Sequence, residues 1–228
     1  SNKNQLKSFI SEKRNSGIYL SVLGVGMFNT NDTTMKTLAE NGNGNYAYLD
    51  SVAEARKVLV EEINGTFNVV AKDAKIGVVF NADVVDSYRL IGYESKMMSQ
   101  EEFDDEQKDA GEIGSGHTVT AVYEVKLKEN ASGEVATAEL RYKNPQTEES
   151  QSITYTCTTQ DYTQTPDEDS VFIGCVVEYG LLLRQSQYKG DASFQSVIQR
   201  LETLNCVSTD QFKAEFLTIV QKAARLYE

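Results

Sequence analysis

The sequence predicts an α+β fold, and three observations predict it. From residue 3 to residue 65, segments with helical spacing alternate with short apolar strands. From about 67 to 159, five strand-like runs follow one another with turn residues and no helix between them. From 168 onward the apolar residues return to helical spacing. The expected division is an α/β segment over 1–65, an antiparallel β-sandwich over 66–165, and a helical segment over 166–228 that packs on the sandwich.

Residues 3–16 place Leu6, Phe9 and Ile10 on one helical face, and Gly17 stops the helix. The run IYLSVLGVG, 18–26, has almost no polar break, which suits a strand covered on both faces in a parallel sheet. Asp32 is a reasonable N-cap for a helix with Met35, Leu38 and Ala39 on one side. Asn41-Gly42 would end that helix in a left-handed turn. Strand 45–49 follows, and Ser51 with Glu54 forms a capping box for a helix reaching about Ile63.

The strand-like runs are 67–80, 85–94, 117–127, 135–143 and 151–159. In 117–127, Val119, Ala121, Tyr123, Val125 and Leu127 alternate with polar residues, the mark of a half-buried antiparallel strand. In the last third, Val171, Phe172, Cys175, Val176, Tyr179 and Leu182 form one helical face. Phe194, Val197, Ile198, Leu201 and Leu204 form a second. Phe212, Phe216, Ile219, Val220 and Ala223 form a third, capped by Asp210 or Ser208.

Composition excludes several functions. Thirty-four acidic residues against 22 Lys and Arg give a net charge of −12, the wrong sign for a nucleic-acid backbone or an anionic membrane surface. No run approaches 18 apolar residues, and no signal peptide is expected within these residues. The chain starts at Ser1, which leads to the expectation of a cut or mature fragment. Cys157, Cys175 and Cys206 form no CxxC pair, so the alternatives are three reduced thiols or one Cys175–Cys206 bridge in an oxidising compartment.

The motifs give little enzyme chemistry. The glycines of NGNGNYAYLD, 41–50, follow a helix and open a strand. A phosphate loop has the reverse order, so Gly42 and Gly44 read as a cap and a turn. Asn29, Asn31 and Asp32 sit past the end of the first strand, where open parallel sheets bind ligands, and are the expected ligand-face rim. The acidic run 101–112 lacks calcium-loop spacing and reads as a solvated loop. A hydrolase using His117, the single histidine, with that acidic loop is the alternative to a non-catalytic chain. No catalytic, cofactor or metal residue is otherwise assigned.

The stretch from Gly17 to Leu59, GIYLSVLGVGMFNTNDTTMKTLAENGNGNYAYLDSVAEARKVL, resembles the last strands and helices of a von Willebrand factor type A (VWA) domain. With AKDAKIGVVFN, YRLIGYES, KDAGEIGSGHTVTAVYE, LRYKNP and the closing helices, it resembles bacterial cell-envelope VWA proteins and their C-terminal extension. The resemblance implies a truncated VWA-type segment and an adhesion-type, protein-binding role. It also implies an extracytoplasmic location with a lipid anchor in a missing N-terminal region. The D-x-S-x-S loop of the family's metal-ion-dependent adhesion site does not occur in this chain. Mg²⁺ is therefore expected only in an intact parent, and none is expected here. Two parallel strands alone leave edges open to pairing, so the segment is expected to pack on the sandwich, to self-associate, or to pair with a missing half. Edge-to-edge assembly of the sandwich, as a scaffold, is the third functional reading.

Overall fold

The computed structural model describes residues 2–26, 31–63, 65, 68–93, 97–108 and 110–227. The chain forms two compact units, Ser1–Thr159 and Gln160–Glu228. The first is α/β followed by antiparallel β, and the second is helical.

Unit one opens with α1 (Asn2–Asn15), β1 (Leu20–Val25), α2 (Asp32–Asn41) and β2 (Asn43–Leu49). Strands β1 and β2 run side by side in the same direction, with Val22 opposite Tyr46, Leu23 opposite Ala47 and Val25 opposite Leu49. Helices α1 and α2 bury Ile10 and Ala39. The covering is lighter than the apolar β1 sequence suggests, because Leu23 and Val25 remain 40% and 71% exposed.

Gly42, between α2 and β2, and Gly44, inside β2, have a different purpose from the one expected. Gly42 has φ −100°, so it is not a left-handed cap, and it is Asn43 that takes the left-handed conformation, at φ +47°. What both glycines permit is close approach. A Cβ on Gly42 would lie 2.7 Å from the Leu20 Cβ, and one on Gly44 would lie 2.1 Å from the Leu20 carbonyl oxygen. Leu20 N–H donates to the Gly42 carbonyl at 2.9 Å, closing the two strands together at this point.

Helix α3 (Val52–Arg56) is capped by Ser51, which accepts from the Glu54 N–H at 3.0 Å. The expected helix to Ile63 shortens: a π-helical turn over Lys57–Glu61 follows it directly.

The antiparallel part has two layers. One is a four-stranded sheet in the order β5-β3-β7-β8, from β3 (Val69–Phe80), β5 (Gly111–Gly114), β7 (Glu134–Lys143) and β8 (Ser150–Thr158). The other is a ribbon of β4 (Val85–Ile91) with β6 (Val122–Leu127). They meet where Phe80 stacks on Tyr88 at 4.0 Å between ring centres and meets Tyr123 edge-on at 5.3 Å. Val84, Val85, Val135 and Ala136 are buried there, with Val78 and Val125 against them. Expected strand 117–127 begins only at Val122, and Val119 is 65% exposed, so its alternation was not a burial signal. The short strand β5 lies at the end of a run expected to be loop.

The acidic run is folded at its start, while Glu101, Asp104, Asp105 and Glu106 stay exposed to solvent as expected. Helix α4 (Gln100–Asp104) starts in a capping box between Ser99 and Glu102. Its one apolar residue, Phe103, is buried over Gly77 of β3, where a Cβ would come within 3.0 Å of the ring. The Arg141 guanidinium lies 4.3 Å from the centre of the same ring, and pairs with Asp104 at 2.7 Å. Lys75, only 5% exposed, donates its amine to the carbonyls of Glu102 at 3.2 Å and Asp105 at 2.5 Å. A buried ammonium thus finds acceptors at a helix C-terminus, where the peptide dipoles favour positive charge.

Unit two contains α5 (Glu168–Leu183), α6 (Phe194–Thr203), α7 (Asn205–Thr209) and α8 (Gln211–Tyr227). Its core gathers Cys175, Leu182, Phe194, Val197, Ile198, Leu201, Leu204, Val207, Val220, Ala223 and Ala224. Tyr179 meets Phe216 edge-on at 5.4 Å and Phe194 at 6.2 Å. Asp210 is the cap of α8, accepting from Phe212 N–H at 2.8 Å. Glu168 accepts from the backbone N–H of Cys206 at 2.9 Å and of Asn205 at 3.2 Å, which holds its carboxyl below the usual range. Two expected core residues point outward, Val176 at 42% and Ile219 at 44% exposure. All three cysteines are free thiols.

Two glycine substitutions separate packing from propensity. Gly44→Ala is expected to cost about 1–3 kcal/mol, because the new methyl meets backbone that cannot give way. Gly174→Ala, in α5 with nothing within 4 Å of the added Cβ, is expected to stabilise by about 0.5–1 kcal/mol. Urea unfolding of both variants measures the difference.

Candidate functional site

The C-terminal ends of β1 and β2 lie on one edge, and α2 begins there. Two of the three expected rim residues are at this edge, and Asn29 lies outside the described residues. Asn31, not Asp32, is the N-cap of α2: its side-chain oxygen accepts from Thr34 N–H at 3.0 Å. Asp32 is the first helical residue, where a carboxylate complements the dipole.

Two tyrosines of β2, outside the expected rim, complete the edge. The Tyr46 hydroxyl donates to Asp32 Oδ1, and the Tyr48 hydroxyl donates to the Gly26 carbonyl at 2.5 Å. Gly26 sits at φ +108°, a conformation that favours glycine. A Cβ on Gly24 would lie 3.1 Å from Met35 Cε, 3.2 Å from Tyr48 Cδ2 and 3.3 Å from Tyr46 Oη. The small residue thus admits both rings against β1. The repeat N-Y-A-Y places the tyrosines at i and i+2, on one face of the strand, and that spacing was the legible signal.

The hydrogen bond to Asp32, reinforced by desolvation and by the carboxylate's charge, pushes the Tyr46 phenol up to about 12. The edge therefore presents an acidic carboxylate held in place by a neutral phenol beside an asparagine cap. That is a hydrogen-bond-accepting rim, suited to cationic or N–H-bearing groups.

Elsewhere, among the described residues no hydrogen bond or ion pair joins His117 to the acidic residues considered with it for hydrolysis. His117 is exposed in the segment after β5. It bonds through its backbone N–H to the Gly114 carbonyl at 3.0 Å, and among the described residues nothing bonds its ring. The acidic residues near it in sequence are engaged in structure: Glu102 with Lys108 at 2.5 Å, Asp104 with Arg141 at 2.7 Å, and Glu112 with Asn43 Nδ2 at 3.3 Å. Among the described residues no three His, Cys, Asp or Glu side chains gather as a metal site. No helix among them is long and apolar enough to cross a membrane.

The phenol gives a direct test. The folded pKa lies above the ordinary value of 10, so the bond contributes stability that is complete below pH 10 and lost as pH rises through about 12. The ultraviolet difference titration of wild type against Tyr46→Phe is expected to show one phenol ionising near 12. In an Asp32→Asn background that step moves back toward 10. An unchanged step in Asp32→Asn would show that the pairing does not exist in solution.

Three comparisons bear on kinship. The family model described as Uncharacterized protein YfbK, C-terminal, matches residues 65–226. The chain is 33% identical over 237 residues to the Uncharacterized protein YfbK of Escherichia coli (strain K12), and the match takes in 96% of this chain. The chain spans 41% of that relative's length. The crystal structure of the ArnB paralog VWA2 from Sulfolobus acidocaldarius aligns over 88% of this chain and 50% of that one, at 14% identity. Its TM-score of 0.46 is too low to bear on the site. With most of its length inside the family model, this chain belongs to the YfbK C-terminal family.

Proposed function

We propose that this chain is the rear part of a VWA-type platform in a bacterial cell-envelope protein, and that its role is non-catalytic capture of a protein partner. The observation that carries the reading is the parallel β1–β2 pair with α2 beginning at its C-terminal edge, where Asn31 and Asp32 lie with Tyr46. Open α/β sheets place ligands at that edge. The resemblance to envelope VWA proteins supplies the location and the lipid anchor, which would sit outside this chain.

Among the described residues, the Mg²⁺ that such a platform uses finds no donor set. The D-x-S-x-S loop is missing from the sequence, and no acidic cluster forms among the described residues. A cation would be held by upstream residues of a parent, and Asp32 would serve only as a neighbouring wall of the site. The outer edge of β1, with Leu23 and Val25 exposed, is where the rest of a doubly wound sheet would pair. The sandwich and helical unit would then carry and stiffen the platform.

The test uses an intact parent that contains this segment, immobilised and exposed to envelope proteins with Mg²⁺ or with a chelator. The expected result is capture that depends on Mg²⁺ and falls about tenfold in Asp32→Ala. Capture indifferent to both would remove the proposal. In parallel, ester, peptide and glycoside panels are expected to show no turnover. An activity abolished by His117→Ala would establish the hydrolase reading instead.

A further inference from the structure

We infer that the free edge of β8 is a self-complementary docking strand, and that two copies of this chain pair through it, antiparallel, about a twofold axis at Thr154. This does not depend on the VWA-type reading, because β8 lies in the sandwich.

β8 is the last strand of its sheet, bonded to β7 on one side only among the described residues. Its pairing with β7 runs without a break from Ala136 opposite Cys157 to Lys143 opposite Ser150. Its nine residues, SQSITYTCT, contain no charge and no proline. Soluble proteins guard such edges with lysine, proline, a bulge or a covering element. None of these is built into the strand, and Ile153 and Tyr155 stand 56% and 65% exposed.

The order of residues suggests what covers it. In an antiparallel pair centred on Thr154, Thr154 faces the partner's Thr154. Ile153 faces the partner's Tyr155 on one face, and Ser152 faces the partner's Thr156 on the other. Further out, Gln151 faces the partner's Cys157 and Ser150 faces the partner's Thr158. The central positions thus meet their own kind, apolar with aromatic and hydroxyl with hydroxyl; only Gln151 opposite Cys157 pairs unlike groups, and both are uncharged. Aromatic with β-branched and threonine with threonine are favourable cross-strand neighbours. The apolar side also has continuity. Ile76, Leu140 and Ile153 lie in one row across β3, β7 and β8, and pairing extends that row onto the partner's Tyr155. Ile76 is itself 59% exposed.

Charge explains why this strand, and not a neighbour, is the contact. Each copy carries −12, so approach is repelled at long range. β8 brings none of that charge to the pairing, and Glu149 and Asp161 fall outside it. Screening by salt, over about 8 Å at physiological ionic strength, should strengthen the association.

Sedimentation equilibrium of the whole chain tests this. The expected mass rises from one chain to two with concentration, and the dimer fraction rises with sodium chloride. Ile153→Lys and Tyr155→Lys place charge on exposed positions, where the fold tolerates it, and should weaken association at least about tenfold with an unchanged circular dichroism spectrum. Thr154→Cys should form a disulfide-linked dimer under mild oxidation that persists in a Cys157→Ser background. A wild-type chain that stays monomeric throughout would overturn the proposal. So would dimers insensitive to both lysines, which would point to the β1 edge instead.

Discussion

The α/β segment depends on two backbones being allowed to touch. β1 and β2 meet at Leu20, which lies opposite Asn43, and the glycines on either side of Asn43 carry no side chain because a Cβ on either would collide with Leu20. Gly42 lets Ile10 and Leu20 close over the end of α2, and Gly44 lets the Leu20 carbonyl approach the next strand. From that point the strands run parallel to Val25 and Leu49, which brings Tyr46 beneath Asp32 and Tyr48 beneath Gly26. The rim exists because of a steric permission set at the opposite end of the strands.

A second constraint organises the sandwich. The four-stranded sheet carries two cations, Lys75 and Arg141, on adjacent strands directly opposite one another. Buried charge needs partners, and the acidic run supplies them as helix-terminal carbonyls and Asp104. Gly77 leaves room for Phe103 between them. The net negative charge of the chain is therefore partly spent internally, as a docked segment on a basic patch.

Much of this architecture was readable. Parallel strands, sandwich strands and terminal helices follow from periodicity, and most bounds fall within a few residues of those expected. The failures have physical causes. Local sequence around Gly42 suggests only a conformational cap, whereas its role is contact with Ile10 and Leu20, far earlier in the chain, which one-dimensional spacing does not encode. In the acidic run 101–112 charge dominates the pattern, but its single phenylalanine and the lone glycine in β3 are the signals of docking. Alternation at Val119 and Ala121 continued a pattern beyond the end of a real strand. At the rim, Asn31 and Asp32 were visible because a helix start must be capped. Tyr46 and Tyr48 were not, because their partners come from across the sheet.

The most direct measurement is a set of through-space proton contacts, by nuclear magnetic resonance on isotope-labelled chain, between residues 20–25 and 43–49. The account predicts contacts in ascending order on both strands: Val22 with Tyr46, Leu23 with Ala47, Val25 with Leu49. Contacts in the opposite order, or none between these strands, would contradict it.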